Sequence, residues 1–105
     1  MDIFKINEGT FPIKLATWRK YSMALAKKHK CLISRCEEMY KIIVSGNDLD
    51  ARIVARDGGF ELQCVNRGLW WQGCSPIYKR MSSCLAYLLR NYETLRVIYK
   101  KEAQN

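Results

Sequence analysis

Lys14, Arg19, Lys20, Lys27, Lys28 and Lys30 follow one another with no Asp or Glu among them. Cations repeated on one short segment are suited to displacing the counterions condensed on successive phosphates, which gives salt-sensitive affinity with little base readout. At about 100° per residue of helix, Arg19, Lys20, Lys27 and Lys30 fall within an arc of about 100° that faces away from Leu15, Trp18 and Leu25. A solvated outer face also uses lysine, and a protein surface is a further use of the same arc. A second group lies downstream, where Trp70 and Trp71 stand between Arg67 and Tyr78-Lys79-Arg80. There, bases could stack on Trp71 while Arg67 and Arg80 meet the phosphate backbone. Neighbouring side chains in a strand point to opposite faces, so at most one of the two tryptophans is expected in the core.

Catalysis finds less support. The chain has one histidine, His29, which excludes acid–base work by a histidine pair, and its place on the apolar side of the first helix predicts a packed and hydrogen-bonded imidazole. Glu37-Glu38 is expected on an outward helical face, and Asp48 and Asp50 in a turn where aspartates make local hydrogen bonds. There is no phosphate loop, dinucleotide glycine fingerprint, nucleophile elbow or metalloprotease helix. Cys74, just before an expected helix start, is placed for a lowered pKa but has no recognised partner base. Cys31, Cys36, Cys64, Cys74 and Cys84 are odd in number, so they imply no disulfide framework and favour a reducing compartment. His29, Cys31 and Cys36, followed by single cysteines, are poorly spaced for zinc. No metal and no cofactor is expected.

The elements that must carry these residues read as an α+β protein. From Pro12, apolar residues recur at three-and-four spacing through Leu15, Trp18, Leu25, Leu32, Cys36, Tyr40 and Ile43, which predicts helix up to a stop at Ser45-Gly46. Such a helix would run about 47 Å, more than this domain needs, so a bend or break is expected near residues 28–30. Residues 51–56 and 60–65 alternate on either side of Asp57-Gly58-Gly59, the pattern of a β-hairpin. Leu69 to Gln72 offers a short third strand. Ser75-Pro76 suits a helix start, and the stripe Ile77, Met81, Cys84, Leu85, Leu88, Tyr92, Leu95 and Tyr99 predicts a C-terminal helix packed on the sheet. Residues 95–99 also fit a strand, being rich in residues that suit one.

The chain has 105 residues, 49% of them hydrophobic, with 18 Lys and Arg against 10 Asp and Glu for a net charge of +8. This predicts one basic domain over residues 1–105, with polyanions favoured as partners. The charged N-terminus and the lack of a long apolar run predict a cytoplasmic protein with no membrane partner. The order helix, strands, helix resembles that of double-stranded-RNA-binding domains, with Lys79-Arg80 loosely similar to the start of their last helix. The dense basic motif of that family is missing and the first helical region is too long, so no site residue carries over.

Charge, motifs and element order together imply a non-enzymatic module that contacts DNA, RNA or a nucleic-acid-containing assembly through the basic helix face. The alternative is a small inhibitor or adaptor, of the kind a phage or mobile element makes, that docks on a protein such as one of a nucleic-acid-processing complex. A small ribonuclease ranks third. Aromatic-containing stripes on both helical regions also allow a homodimer.

Overall fold

The structure, a computed structural model, describes residues 12–36 and 41–101. Helix α1 (Leu15–His29) is followed by five strands, β1 (Leu32–Cys36), β2 (Lys41–Ser45), β3 (Asp50–Arg56), β4 (Gly59–Asn66) and β5 (Leu69–Trp71), and by helix α2 (Met81–Ile98). The strands form one antiparallel sheet in sequence order. The fold is α+β, with α2 packed on β3 and β4, and α1 on α2 and β1.

Pairing register puts Ile42, Ile53 and Leu62 in one row and Val44, Ala51 and Cys64 in the next, all fully buried under the helices. α2 answers with Met81, Cys84, Leu85, Leu88, Tyr92 and Leu95, the three-and-four stripe that its sequence carries. Each large side chain buried here stabilises the fold by about 1.5–3 kcal/mol. α1 is held more lightly: Leu25 is its one fully buried residue, with Trp18 and Tyr21 packed against the core from the rim. That leaves most of its circumference to solvent.

The expected hairpin is β3–β4. Asp57 (φ 48°) and Gly58 (φ 80°) make its turn with two left-handed residues, the geometry whose twist matches that of paired strands. Arg67 (φ 54°) and Gly68 (φ 86°) repeat the device between β4 and β5, and β5 is the expected short third strand.

One expectation about the first helix holds and others are corrected. The first helix does break where its length required, at Lys30, which takes a left-handed conformation (φ 58°) while its N–H and that of Cys31 close the helix on Ala26 and Leu25. Beyond Lys30 the chain forms the strands β1 and β2, not a second helical piece. Ile42-Ile43-Val44 is a β-branched run whose stiff side chains suit a strand better than a helix. Pro12 also precedes the helix by three residues instead of sitting in its first turn.

The start of the last helix moves as well. Ser75 does not cap it: its Oγ accepts the Leu62 N–H at 2.9 Å and donates to the Pro76 carbonyl at 2.8 Å. Tyr78 commits both backbone groups to Phe60, at 2.7 and 2.8 Å, so the chain stays extended until Arg80 and α2 begins at Met81. At the other end residues 95–98 are helix, not strand, and the Tyr99 N–H still bonds the Leu95 carbonyl. The Glu37-Glu38 pair, Tyr40 and the N-terminal eleven residues lie outside the described residues.

The Phe60–Tyr78 bridge makes Gly59 intolerant of a side chain. A Cβ there would stand 2.5 Å from the Tyr78 carbonyl oxygen and 2.7 Å from Ile77 Cγ2. Gly59→Ala is expected to lower stability by about 1–3 kcal/mol, read as a lower urea midpoint with an unchanged slope.

Candidate nucleic-acid interface

Arg19, Lys20 and Lys27 are exposed along α1, so three of the four expected residues share one element, and exposed Lys30 is the left-handed residue that ends it. From Arg19 to Lys30 the rise is about 16 Å, the axial length of roughly five phosphates of one DNA strand. Lys14 and Lys28 are exposed on the same segment. Lys27 and Lys28 occupy the last helical turn, where the negative end of the helix dipole offsets their crowding. Lys20 also lies over the Tyr21 ring, 5.5 Å from its centre.

The described carboxylates are engaged elsewhere. Asp48 and Glu93 pair with Arg96, Asp50 with Lys101, and Asp57 and Glu61 with Arg56. Among the described residues, none forms an ion pair with the six cations of residues 14–30. The nearest approach to this end of α1 is Glu93 to His29, 3.8 Å from Nδ1.

The second expected group is not drawn into one patch. Arg67 sits at the β4–β5 turn, its N–H bonded to the Lys100 carbonyl at 2.9 Å. Arg80 precedes α2, two residues after Tyr78 bridges to Phe60. Phe60 and Asn66 stand at opposite ends of β4, about 20 Å apart along the strand. Trp71 lies between them, on the edge strand opposite β1 and hence across the sheet from α1. Both tryptophans are largely exposed, so neither fills the core position open to one of the pair.

The register explains what sequence reasoning missed. Trp70 pairs with Val65, and Arg52 with Gln63, on the sheet face away from the helices. The Arg52 guanidinium lies 4.1 Å from the Trp70 ring centre and donates from Nε to Gln63 Oε1 at 2.9 Å. Gln63 Nε2 donates to Glu61 Oε2 at 3.0 Å, and Arg56 Nη1 donates to the same oxygen at 3.0 Å. Strand alternation was the available signal, since it puts residues 52, 54 and 56 opposite 59, 61 and 63.

His29 is packed, as its stripe position implied, but the hydrogen bonding expected with that packing is missing at its buried Nε2. Its ring stacks on Tyr92 with centres 4.1 Å apart and 13° between planes. The Tyr92 hydroxyl donates to Asp48 Oδ1 at 2.6 Å; burial and that carboxylate both push the phenol pKa up, so it stays protonated and pins α2 to the β2–β3 loop. Among the described residues no three His, Cys, Asp or Glu side chains are grouped to hold a metal, and no helix is long and apolar enough to cross a membrane.

The fold and surface define a small antiparallel-sheet protein with both helices on one face and a cationic first helix. No protein-family model, curated protein or solved structure matches the chain.

Glu61 supplies a pH test. Burial favours its neutral form, but hydrogen bonds from Gln63, the Gly73 N–H and Arg56, with the Arg56 charge, outweigh burial and hold its pKa below 4.5. Its contribution is therefore present above the unfolded-state value and is lost as pH falls through the lower folded value. Glu61→Gln is expected to cost about 1–3 kcal/mol at neutral pH and to flatten the acid limb of stability against pH, both measured by urea unfolding.

Proposed function

We propose that the protein binds nucleic acid without catalysing a reaction on it, using the outward face of α1 formed by Arg19, Lys20 and Lys27 and continued by Lys30. The observation that supports this reading most is the exposure of six cations on residues 14–30 with no described carboxylate paired to them. Paired cations would have little charge left for phosphate. Exposed ones on a rigid element keep their full counterion-release gain, and the helix holds their spacing. DNA and RNA fit this chemistry equally, because the contacts go to the backbone they share.

A protein partner is the second reading, an inhibitor or adaptor role. It draws on Leu69, Trp70 and Trp71, three consecutive exposed apolar residues that make up the edge strand β5. Aromatic side chains of this kind are enriched in protein interfaces.

Fluorescence anisotropy with a labelled duplex and a labelled single strand separates the two. Three to four phosphate contacts predict an affinity loss of roughly 40- to 150-fold between about 50 and 200 mM salt. Arg19→Glu/Lys20→Glu/Lys27→Glu should abolish most binding while leaving the far-UV circular dichroism unchanged. Binding that ignores salt, or that survives the triple reversal, would overturn the α1 reading.

A further inference from the structure

Two cysteines that the α1 interface does not use face each other beneath α2. The Cys74 N–H donates to the Leu62 carbonyl at 3.1 Å, which holds Cys74 alongside β4 just past the end of β5. Cys64 lies two residues beyond Leu62 and points to the same helix-covered side. Gly73, with φ 70°, turns the chain so that the next side chain comes back toward β4. The two thiols are hydrogen-bonded to each other, and the Tyr99 hydroxyl and the Cys64 N–H also reach the Cys74 sulfur. The Cys74 thiol in turn donates to the Trp71 carbonyl at 3.2 Å. Both cysteines are unbridged, and both are almost fully buried.

We infer that Cys64 and Cys74 form an oxidation site, a thiol pair that closes to an intramolecular disulfide when the protein meets hydrogen peroxide. The roles of the two sulfurs differ. Hydrogen bonding from Cys64 lowers the pKa of Cys74 against the opposing effect of burial, with Tyr99 adding to it, whereas Cys64, as the donor in a buried site, is held as the thiol. The Cys74 thiolate attacks one peroxide oxygen; the O–O bond breaks, the second oxygen leaves as hydroxide and takes up a proton as water, and Cys74 becomes a sulfenic acid. The Cys64 sulfur then attacks the Cys74 sulfur. Its proton leaves with the displaced hydroxide as a second water, so two thiols and one peroxide give one disulfide and two waters.

The neighbouring thiols are less suited. Burial pushes Cys84 up to about 11 and also raises Cys31, which keeps both in the unreactive protonated form. Closure would tie the segment after β5 covalently to β4, and would remove the free sulfhydryl to which Tyr99, just past α2, donates.

Tryptic mapping under non-reducing conditions tests this on the native full chain, because Arg67 separates the two cysteines into peptides 57–67 and 68–79. After one equivalent of peroxide, these peptides should appear joined, with about 2 Da lost from the intact mass. Cys84→Ser should keep the link. Cys64→Ser should leave a sulfenic acid on Cys74 that dimedone traps. A link from either peptide to 81–90, a dimer bridged between chains, or five unmodified thiols after treatment would each overturn the assignment. None of these outcomes bears on nucleic-acid affinity, so the two proposals fail separately.

Discussion

β4 is the strand on which the rest of the molecule depends, because residues 61–64 are buried on both sheet faces at once. On the helix side Leu62 and Cys64 meet α2 in an apolar layer. On the far side Glu61 and Gln63 are polar, and a buried carboxylate and amide are costly unless every strong acceptor and donor is met. That requirement organises the surrounding side chains. Arg56 and Gln63 converge on Glu61, Arg52 on Gln63, and Arg52 is thereby held over Trp70. The strand's outer edge is also closed along its length, by β5, by Cys74 and Ser75 at Leu62, and by Tyr78 at Phe60.

Where local chemistry and tertiary structure demanded the same thing, the sequence could be read. Asp57-Gly58 needs no distant partner to form a left-handed turn, and residues 51–56 and 60–65 alternate on either side of it. α2 was legible from residue 81 for a similar reason, since its buried stripe is continuous. The failures have one common cause. Residues 31–44 keep three-and-four spacing by coincidence, and a five-residue strand offers too few positions to separate that period from alternation. The deciding facts were a lysine in a left-handed conformation, which leaves no mark in its residue type, and the pairing of β2 with β3, for which the β-branched run Ile42-Ile43-Val44 was the one local signal. Ser75-Pro76 misled likewise: the serine has a cap's chemistry, but its hydroxyl is claimed by the Leu62 N–H on a strand it meets only after folding.

The candidate surface divides the same way. Arg19, Lys20 and Lys27 could be placed on one arc from spacing alone because they lie within a single regular helix, whereas Lys30, left-handed just past its end, is outside the reach of that step of about 100° per residue. Arg67, Trp71 and Arg80 are near in sequence, but β4 separates two of them by its own length. Sequence proximity is a fair guide along a helix turn and a poor one around a hairpin, where each added pair of residues carries the ends farther from the tip. Trp70 was the converse case, remote from Arg52 in the chain and adjacent to it in the sheet.

The way carboxylates are used connects the fold to the charge it displays. Asp48 accepts from Tyr92 and pairs with Arg96; Asp50 pairs with Lys101, whose ammonium also donates to the Gly46 carbonyl. These contacts fasten the last turns of α2 and the residues after it to the β2–β3 loop and the start of β3, and Glu61 ties Arg56 and Gln63 together on the far face of the sheet. Acidic groups assigned to such ties cannot also screen α1. Among the described residues the five carboxylates are committed to such ties, so the cations of α1 face outward without them, at the expense of self-repulsion. In α1 that repulsion is tolerable for two physical reasons: the helix keeps the side chains at its surface in high dielectric, and its C-terminal dipole lies under Lys27 and Lys28. A polyanion laid along the same face would relieve the repulsion directly, which is why the arrangement that burdens the free protein is the one that would favour its complex.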